Sequence, residues 1–208
     1  LSISDVAVAA DGAIALLADV LGGEGGEGID FVAPGTGLWL LDDGALGSGR
    51  GARLLTPPET MDLGEVGSHI TPLGDDFLVQ NRSRGRVELL RVTRDGGIAD
   101  VHVGDVEVAG HAAAGERIVS SHATESSFGE VSLLVRGRHR TLTDFGAVLR
   151  GAGLVRPVEL EITGRDGYPV HGWVATPGGE GPFTVILQIH GGPYASYGIH
   201  PFDEPQVR

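Results

Sequence analysis

The stretch that decides the fold is FTVILQIHGGP, residues 183–193. Its first seven residues, 183–189, are almost continuously apolar, which predicts a strand buried on both faces, as in an α/β sheet. This strand runs directly into His190-Gly191-Gly192-Pro193. Glycines at such a strand end leave room for a backbone N–H to come within about 2.7–3.1 Å of a developing oxyanion. The pattern therefore indicates an oxyanion loop, since strand-to-loop segments of this type occur in α/β-hydrolases.

The residues before this stretch form a second recognisable unit. Residues 158–163 alternate apolar and polar side chains, residues 164–167 read as a tight Gly-Arg-Asp-Gly turn, and residues 170–176 read as a second strand. The two strands are predicted to form a β-hairpin, followed by a proline-bounded loop at 177–182. The alternative for residues 190–193 is an ordinary Gly-Pro turn beside a core histidine, and the preceding hairpin makes that alternative weaker.

Together these motifs resemble the prolyl oligopeptidase family, and most closely its acylaminoacyl-peptidase and dipeptidyl-peptidase-like branch. The resemblance is dense over residues 156–206 and diffuse upstream. It is carried by Glu161-Ile162-Thr163, Arg165-Asp166-Gly167, His171-Gly172-Trp173, Pro177, His190-Gly191-Gly192-Pro193, Tyr197-Gly198 and Phe202-Asp203-Glu204. It implies a β-propeller that precedes an α/β-hydrolase domain, and a serine peptidase that acts on short peptides admitted by the propeller.

The resemblance also assigns roles within the oxyanion loop. Gly192 would offer its N–H to the oxyanion, Gly191 would set the turn, and His190 would shape the loop. Other branches of the family carry a tyrosine at the position of His190, so here the backbone would have to stabilise the oxyanion. Pro193 would stiffen the loop, because its ring fixes φ and removes a competing donor.

The catalytic triad expected for this family is absent from these 208 residues. The order should be Ser, Asp and His, all after the oxyanion strand, but the sequence contains no Gly-x-Ser-x-Gly. Ser196 is the only serine after position 132, and its surroundings are not those of a nucleophile. His200 precedes any nucleophile and is a poor candidate base. We therefore expect a fragment that is inactive by itself, with the triad beyond residue 208.

Upstream of residue 152 the sequence reads as a degenerate repeat of short strands. Similar closing segments, Arg53-Leu54-Leu55-Thr56 and Arg140-Thr141-Leu142-Thr143, lie 87 residues apart, which is twice a period of about 43 residues and suits four-stranded propeller blades. The predicted fold is thus mainly β. It has a partial β-propeller of about three four-stranded blades over residues 1–152, then the first strands of an α/β-hydrolase domain over residues 153–208. Three blades cannot close a propeller, so we expect the chain to be cut at both ends.

Composition excludes several other classes of function. The net charge of −13 argues against a nucleic-acid partner. The absence of cysteine excludes disulfides, thiol nucleophiles and cysteine-based zinc sites. No apolar run is long enough for a membrane span, and no signal peptide is recognisable, so a cytoplasmic location is expected. The 35 glycines indicate many turns between short strands. No cofactor is predicted, and a homo-oligomer of the full-length protein is left open.

Several weaker signals are interpreted as structural. The glycine run 23–28 matches G-x-G-x-x-G, but no helix follows it and its glutamates would repel a pyrophosphate. Arg82, Arg84 and Arg86 are predicted to form a solvated hairpin turn, with carboxylate binding inside the propeller channel as the alternative. Asn81-Arg82-Ser83 is a glycosylation sequon without a secretion signal. Asp42-Asp43 reads as a turn rather than a calcium loop, and the eight histidines show no metal-binding spacing.

Two further hypotheses compete with the peptidase. An α/β-hydrolase esterase would share the oxyanion strand, although an upstream propeller argues against it. A non-catalytic propeller module that binds a peptide or a periplasmic partner would lack the serine elbow altogether.

Overall fold

A computed structural model describes residues 2–19, 35–41, 51–153, 155–189 and 196–200. The predicted glycine loop at 22–30 and the turn at 42–44 lie outside these residues. The described part is mainly β, as predicted. Its elements are β1 (Ser2–Val8), β2 (Ile14–Asp19), β3 (Gly37–Leu41), β4 (Arg53–Leu54), β5 (Thr71–Leu73), β6 (Asp76–Ser83), β7 (Arg86–Val92), β8 (Ile98–His102), β9 (Glu107–Ala114), β10 (Arg117–Thr124), β11 (Ser127–Val135), β12 (Arg138–Thr141), α1 (Ala147–Gly151), β13 (Val158–Thr163) and β14 (Pro169–Val174).

The first twelve strands form three four-stranded antiparallel units, which we call blades one, two and three. Blade one has the order β1-β2-β3-β4, blade two β5-β6-β7-β8, and blade three β9-β10-β11-β12. A single parallel pairing, between Val87 of β7 and Glu107 of β9, joins blades two and three. Strands β6 and β10 begin 41 residues apart, at Asp76 and Arg117, close to the predicted period. The prediction of about three propeller blades is confirmed.

Blade two is packed on both faces, and strand β6 shows this most clearly. All of its residues from Asp76 to Asn81 are buried. Since successive side chains of a strand point to opposite faces, both faces of β6 must be covered. Phe77 and Val79 join a core with Leu17, Leu38 and Leu40 of blade one. On the other face, Leu78 packs with Leu89, Val106 and Val108 toward blade three. The blades therefore stack face to face, as in a propeller.

Two strands were not predicted from the sequence, β5 and β9. They are the first strands of blades two and three. The sequence of β5 contains Pro72, and that of β9 is Glu-Val-Ala-Gly-His-Ala-Ala-Ala. Proline, glycine and alanine are depleted in strands, so neither segment carries a recognisable strand pattern. Their pairing with the longer neighbours β6 and β10 supplies the strand conformation.

Histidines fill part of the seam between blades two and three. The ring of His102 at the end of β8 lies 4.5 Å from that of His122 on β10 and 4.4 Å from that of His139 on β12. A second pair, His69 and His111, stacks with 4.1 Å between ring centroids. His102, His111 and His122 are buried. This clustering could not be predicted from the sequence, because the five residues come from separate strands and loops.

The chain then passes through α1 to the predicted hairpin. Strands β13 and β14 pair from Val158 opposite Val174 to Thr163 opposite Pro169, with the tight turn between them. The strand predicted at 183–189 is not present, since these residues belong to no sheet and Val185, Leu187 and Ile189 are at least 79% exposed. An apolar run becomes a buried strand only when neighbours pair with it and cover it, and the described residues supply no such neighbours. No helix within the described residues is long and apolar enough to span a membrane.

The core between blades one and two should be sensitive to truncation. We expect Phe77→Ala to lower the free energy of unfolding by about 3–5 kcal/mol, because Phe77 is fully buried and a cavity would remain. The matched control is Phe145→Ala, whose side chain is 70% exposed and whose loss should cost less than about 0.5 kcal/mol. Urea unfolding followed by circular dichroism measures both. Equal losses would contradict the assignment of this core.

The histidine seam should make the blades sensitive to acid. Burial, then the nearby His122 and His139, lower the pKa of His102 to about 4 from an ordinary 6.5. The unfolded chain therefore binds the proton more readily, so stability is full above pH 6.5 and falls as the pH drops toward 4. The slope contributed by one such group approaches about 1.4 kcal/mol per pH unit. In urea titrations at several pH values, His102→Asn should flatten this decline, and parallel curves for variant and wild type would refute the assignment.

Candidate functional site

The predicted oxyanion residues His190, Gly191, Gly192 and Pro193 lie outside the described residues. The structure describes the parts of the chain on either side of them. These parts meet blades two and three in a region that we call the junction. It comprises the β6–β7 turn with its flanking arginines, Glu107 at the start of β9, the β13–β14 hairpin, and residues 196–200.

Arginines of the β6–β7 turn bind glutamates of strand β13. Arg86 donates two hydrogen bonds to the carboxylate of Glu159, Nη2 to Oε2 at 2.9 Å and Nη1 to Oε1 at 3.3 Å. Its Nε also donates to Asp105 Oδ1 at 2.9 Å. Arg84 Nη1 lies 2.7 Å from Glu161 Oε2. Glu159 and Glu161 are two residues apart on β13 and so share one face of that strand, while Arg84 lies in the β6–β7 turn and Arg86 begins β7.

The hairpin turn predicted for Arg82, Arg84 and Arg86 is present and Arg84 is exposed, but the side chains of Arg82 and Arg86 are largely covered. All three guanidinium groups bind carboxylates of the chain itself, with Arg82 Nε donating to Asp62 Oδ2 at 2.6 Å. The sequon residue Asn81 is buried and its Oδ1 accepts a hydrogen bond from the Asp62 N–H. The sequence did not reveal the glutamate partners of Arg84 and Arg86, because those glutamates lie more than 70 residues away. The matching i, i+2 spacing of arginines and glutamates is the one signal that could have revealed them.

His171 and Trp173 of β14 complete the hairpin side of the junction. The Nε2 atom of His171 lies 2.7 Å from Glu159 Oε1, and the His171 ring stands edge-on to that of Trp173 at 4.7 Å. Hydrogen bonds from Arg86 and then from His171 outweigh desolvation and lower the pKa of Glu159 to about 2. The same bond to Glu159 raises the pKa of Arg86. Glu159 and Arg86 are therefore both charged at neutral pH.

Residues 196–200, which follow the oxyanion motif by three positions, bind the blades directly. The backbone N–H of Ile199 donates to the Gly85 carbonyl at 3.2 Å. The backbone N–H of His200 donates to Glu107 Oε1 at 2.7 Å, and His200 Nδ1 lies 2.6 Å from Glu107 Oε2. Ser196 Oγ donates to Glu65 Oε2 at 3.1 Å. Ser196 and His200 thus contact glutamates of the blade region and not each other.

Glu130 of β11 holds the connection that leads from blade three to the hairpin. Its carboxylate accepts hydrogen bonds from the Gly146 N–H at 2.8 Å, from Ser127 Oγ at 2.9 Å, from the Phe145 N–H at 3.2 Å and from the Thr143 hydroxyl. Burial by itself raises the pKa of Glu130, but these four donors outweigh it and lower the pKa to about 2. A buried carboxylate with four donors fixes the path of residues 143–146 beside β11.

The described residues bring together no Ser–His–Asp constellation and no group of three or more His, Asp or Glu side chains arranged to hold a metal ion. The histidine seam is not such a group. Asp42-Asp43 and the glycine run 23–28 lie outside the described residues. What the junction does chemically is to attach the segments before and after the oxyanion motif to blades two and three.

Comparison with known proteins gives the fold a context. No protein-family model matches the chain. A 54-residue stretch is 43% identical to the uncharacterized peptidase YuxL of Bacillus subtilis, a match that covers 24% of this chain and 8% of that protein.

Solved structures match over most of the chain. Acylaminoacyl peptidase of Pyrococcus horikoshii superposes with a TM-score of 0.60 at 18% identity, over 84% of this chain and 25% of that one. A puromycin hydrolase gives 0.58 at 20% identity over 84% and 25%, and Porphyromonas gingivalis dipeptidyl peptidase 4 gives 0.58 at 13% identity over 83% and 23%. The chain spans about a quarter of the length of these structures. It has the fold of the corresponding part of these peptidases, and the resemblance to the prolyl oligopeptidase family inferred from the sequence is confirmed.

Proposed function

We propose that the chain is part of a serine peptidase that hydrolyses short peptides, of the acylaminoacyl or dipeptidyl/oligopeptidyl type. The observation that carries this proposal is the fold match to peptidases over 84% of the chain, in a sequence that also contains an oxyanion-type motif directly after an apolar run. The names of the matched enzymes point to one kind of bond. It is an amide bond between an acyl-aminoacyl or aminoacyl group and an amine. Such an amide is the substrate class we infer.

The proposed mechanism places residues 190–193 in the loop that stabilises the oxyanion of the tetrahedral intermediate. The Gly192 N–H donates to the oxygen of the tetrahedral intermediate, while Gly191 allows the turn that aims it. His190 and Pro193 shape and stiffen the loop. The nucleophilic serine, its histidine base and the aspartate that orients the histidine belong to a part of the protein beyond residue 208. A histidine at position 190 in place of tyrosine leaves the backbone as the donor from this loop.

The exposed apolar surface supports the idea that more chain is needed. Residues Val185, Ile186, Leu187 and Ile189 are between 74% and 87% exposed, and a chain that buries them would gain about 1.5–3 kcal/mol for each large side chain. We infer that the remaining strands of an α/β-hydrolase sheet cover this run. The 208-residue chain by itself is then inactive. The blades limit entry to short peptides. A cytoplasmic location and homo-oligomerisation of the full-length protein belong to the same proposal.

The experiment compares the 208-residue chain with the longer reading frame that contains it. The longer protein should react with a fluorophosphonate probe. It should also hydrolyse acetyl-alanine p-nitroanilide, alanine p-nitroanilide or puromycin. The 208-residue chain should show neither labelling nor hydrolysis. If the longer protein is not labelled, the peptidase proposal is wrong. Turnover of p-nitrophenyl esters without any amide turnover would favour the esterase instead.

The oxyanion assignment is tested in the longer protein with two variants at one position. Gly192→Pro removes the N–H and should lower kcat by about 10²–10³-fold, the usual effect of losing one oxyanion donor. Gly192→Ala keeps the N–H and is the matched control, so its kcat should fall far less. Equal kcat values for the two variants would contradict a donor role for Gly192.

A further inference from the structure

The junction contains a contact that the ion pairs do not explain, between the β6–β7 turn and the segment after the oxyanion motif. Among the described residues beyond Gly146, only Ile199 is buried, at 8% exposure. Its N–H donates to the carbonyl of Gly85. The hairpin and the run 183–189 are otherwise exposed or half-buried. Ile199 is thus the residue of the described C-terminal region that is most covered.

Gly85 is shaped for this contact. It has φ +73 in an Arg84-Gly85 turn in which Arg84 also has positive φ. A Cβ at Gly85 would overlap the Cη2 and Cζ2 atoms of Trp173 and would lie 3.2 Å from the Tyr197 carbonyl oxygen. Two features favour glycine at position 85. One is the backbone conformation with positive φ, and the other is the close approach of the Trp173 ring.

Gly198 makes the same kind of approach from the other side. A Cβ at Gly198 would overlap the carboxylate of Glu107. The Glu107 side chain is only 12% exposed. Its carboxylate accepts a hydrogen bond from the His200 N–H and lies beside the His200 ring. Glu107 begins β9 and is paired with Val87, two residues after Gly85. The turn and the glutamate therefore belong to one rigid corner where blades two and three meet.

We propose that Gly85 and Glu107 are positioning residues that clamp residues 196–200, the segment that follows the proposed oxyanion loop in sequence, to the corner between blades two and three. The clamp consists of Trp173 against Gly85, the Ile199 N–H on the Gly85 carbonyl, and Glu107 on the backbone N–H and the ring Nδ1 of His200. Its catalytic consequence rests on the proposed function, since the loop 190–193 ends three residues before Ser196. The clamp joins the corner between blades two and three to the segment that follows the proposed oxyanion loop in sequence.

The chain offers a matched control for the key variant. The Arg136-Gly137 turn between β11 and β12 has φ values of 49 and 72, nearly those of Arg84 and Gly85, but a Cβ at Gly137 would meet nothing within 4 Å. Gly85→Ala and Gly137→Ala therefore carry the same backbone strain. Only Gly85→Ala also displaces Trp173, so the difference between the two variants isolates the clamp.

Hydrogen exchange in the 208-residue chain tests the clamp without any need for activity. We expect Gly85→Ala to lower the protection of the Ile199 and His200 amides at least tenfold, and Gly137→Ala to leave it unchanged. Glu107→Ala should lower the protection of His200 to a similar degree, whereas Glu107→Gln, which keeps an acceptor, should restore most of it. If Gly85→Ala does not fold, the two Glu107 variants decide the question. Wild-type protection in Gly85→Ala or in Glu107→Ala would overturn the proposal.

The longer protein tests the catalytic consequence. Relative to Gly137→Ala, Gly85→Ala should lower kcat about tenfold with little change in KM, because the segment that follows the proposed oxyanion donor is released from the blades while substrate binding is retained. Equal kcat values would overturn the positioning role. The two proposals fail separately, since a wild-type protein that takes no fluorophosphonate would refute the peptidase assignment while the exchange result would still stand for or against the clamp.

Discussion

The burial of both faces of blade two is the constraint on which the rest of this structure depends. Strand β6 places Phe77 and Val79 against blade one and Leu78 against blade three, so each blade completes the core of the next. A β-sheet that is apolar on both faces cannot stand alone in water. The radial stack follows from that requirement, and it fixes the corner where the β6–β7 turn and the start of β9 lie together.

The junction uses charge and shape for different purposes. The bonds between Arg84, Arg86 and the β13 glutamates are partly exposed, and such pairs contribute little net stability because solvent screens them. They select which strand lies beside the turn. The glycine contacts at Gly85 and Gly198 select the distance, since any side chain at either position would collide with its neighbour. Orientation and spacing of the C-terminal segments are thereby set by separate features.

The apolar run 183–189 illustrates how strand formation depends on context. Its composition is that of a central strand, yet its side chains are exposed and it belongs to no sheet in the described part of the chain. Hydrogen-bonded neighbours and a cover on each face are what turn β propensity into a buried strand. An exposed run of this kind is also a template for pairing with other chains.

The sequence by itself determined the mainly β fold, the three-blade repeat and the β13–β14 hairpin, because apolar alternation and Gly-Asp turns are local properties of the chain. It did not reveal β5 and β9, whose proline- and alanine-rich sequences become strands only through pairing with longer neighbours. It also missed the partners of Arg84 and Arg86, the histidine seam and the clamp at Gly85. Those features join residues tens of positions apart, so they exist only after the stacking of the blades has brought the strand ends to one corner, and only the tertiary structure could decide them.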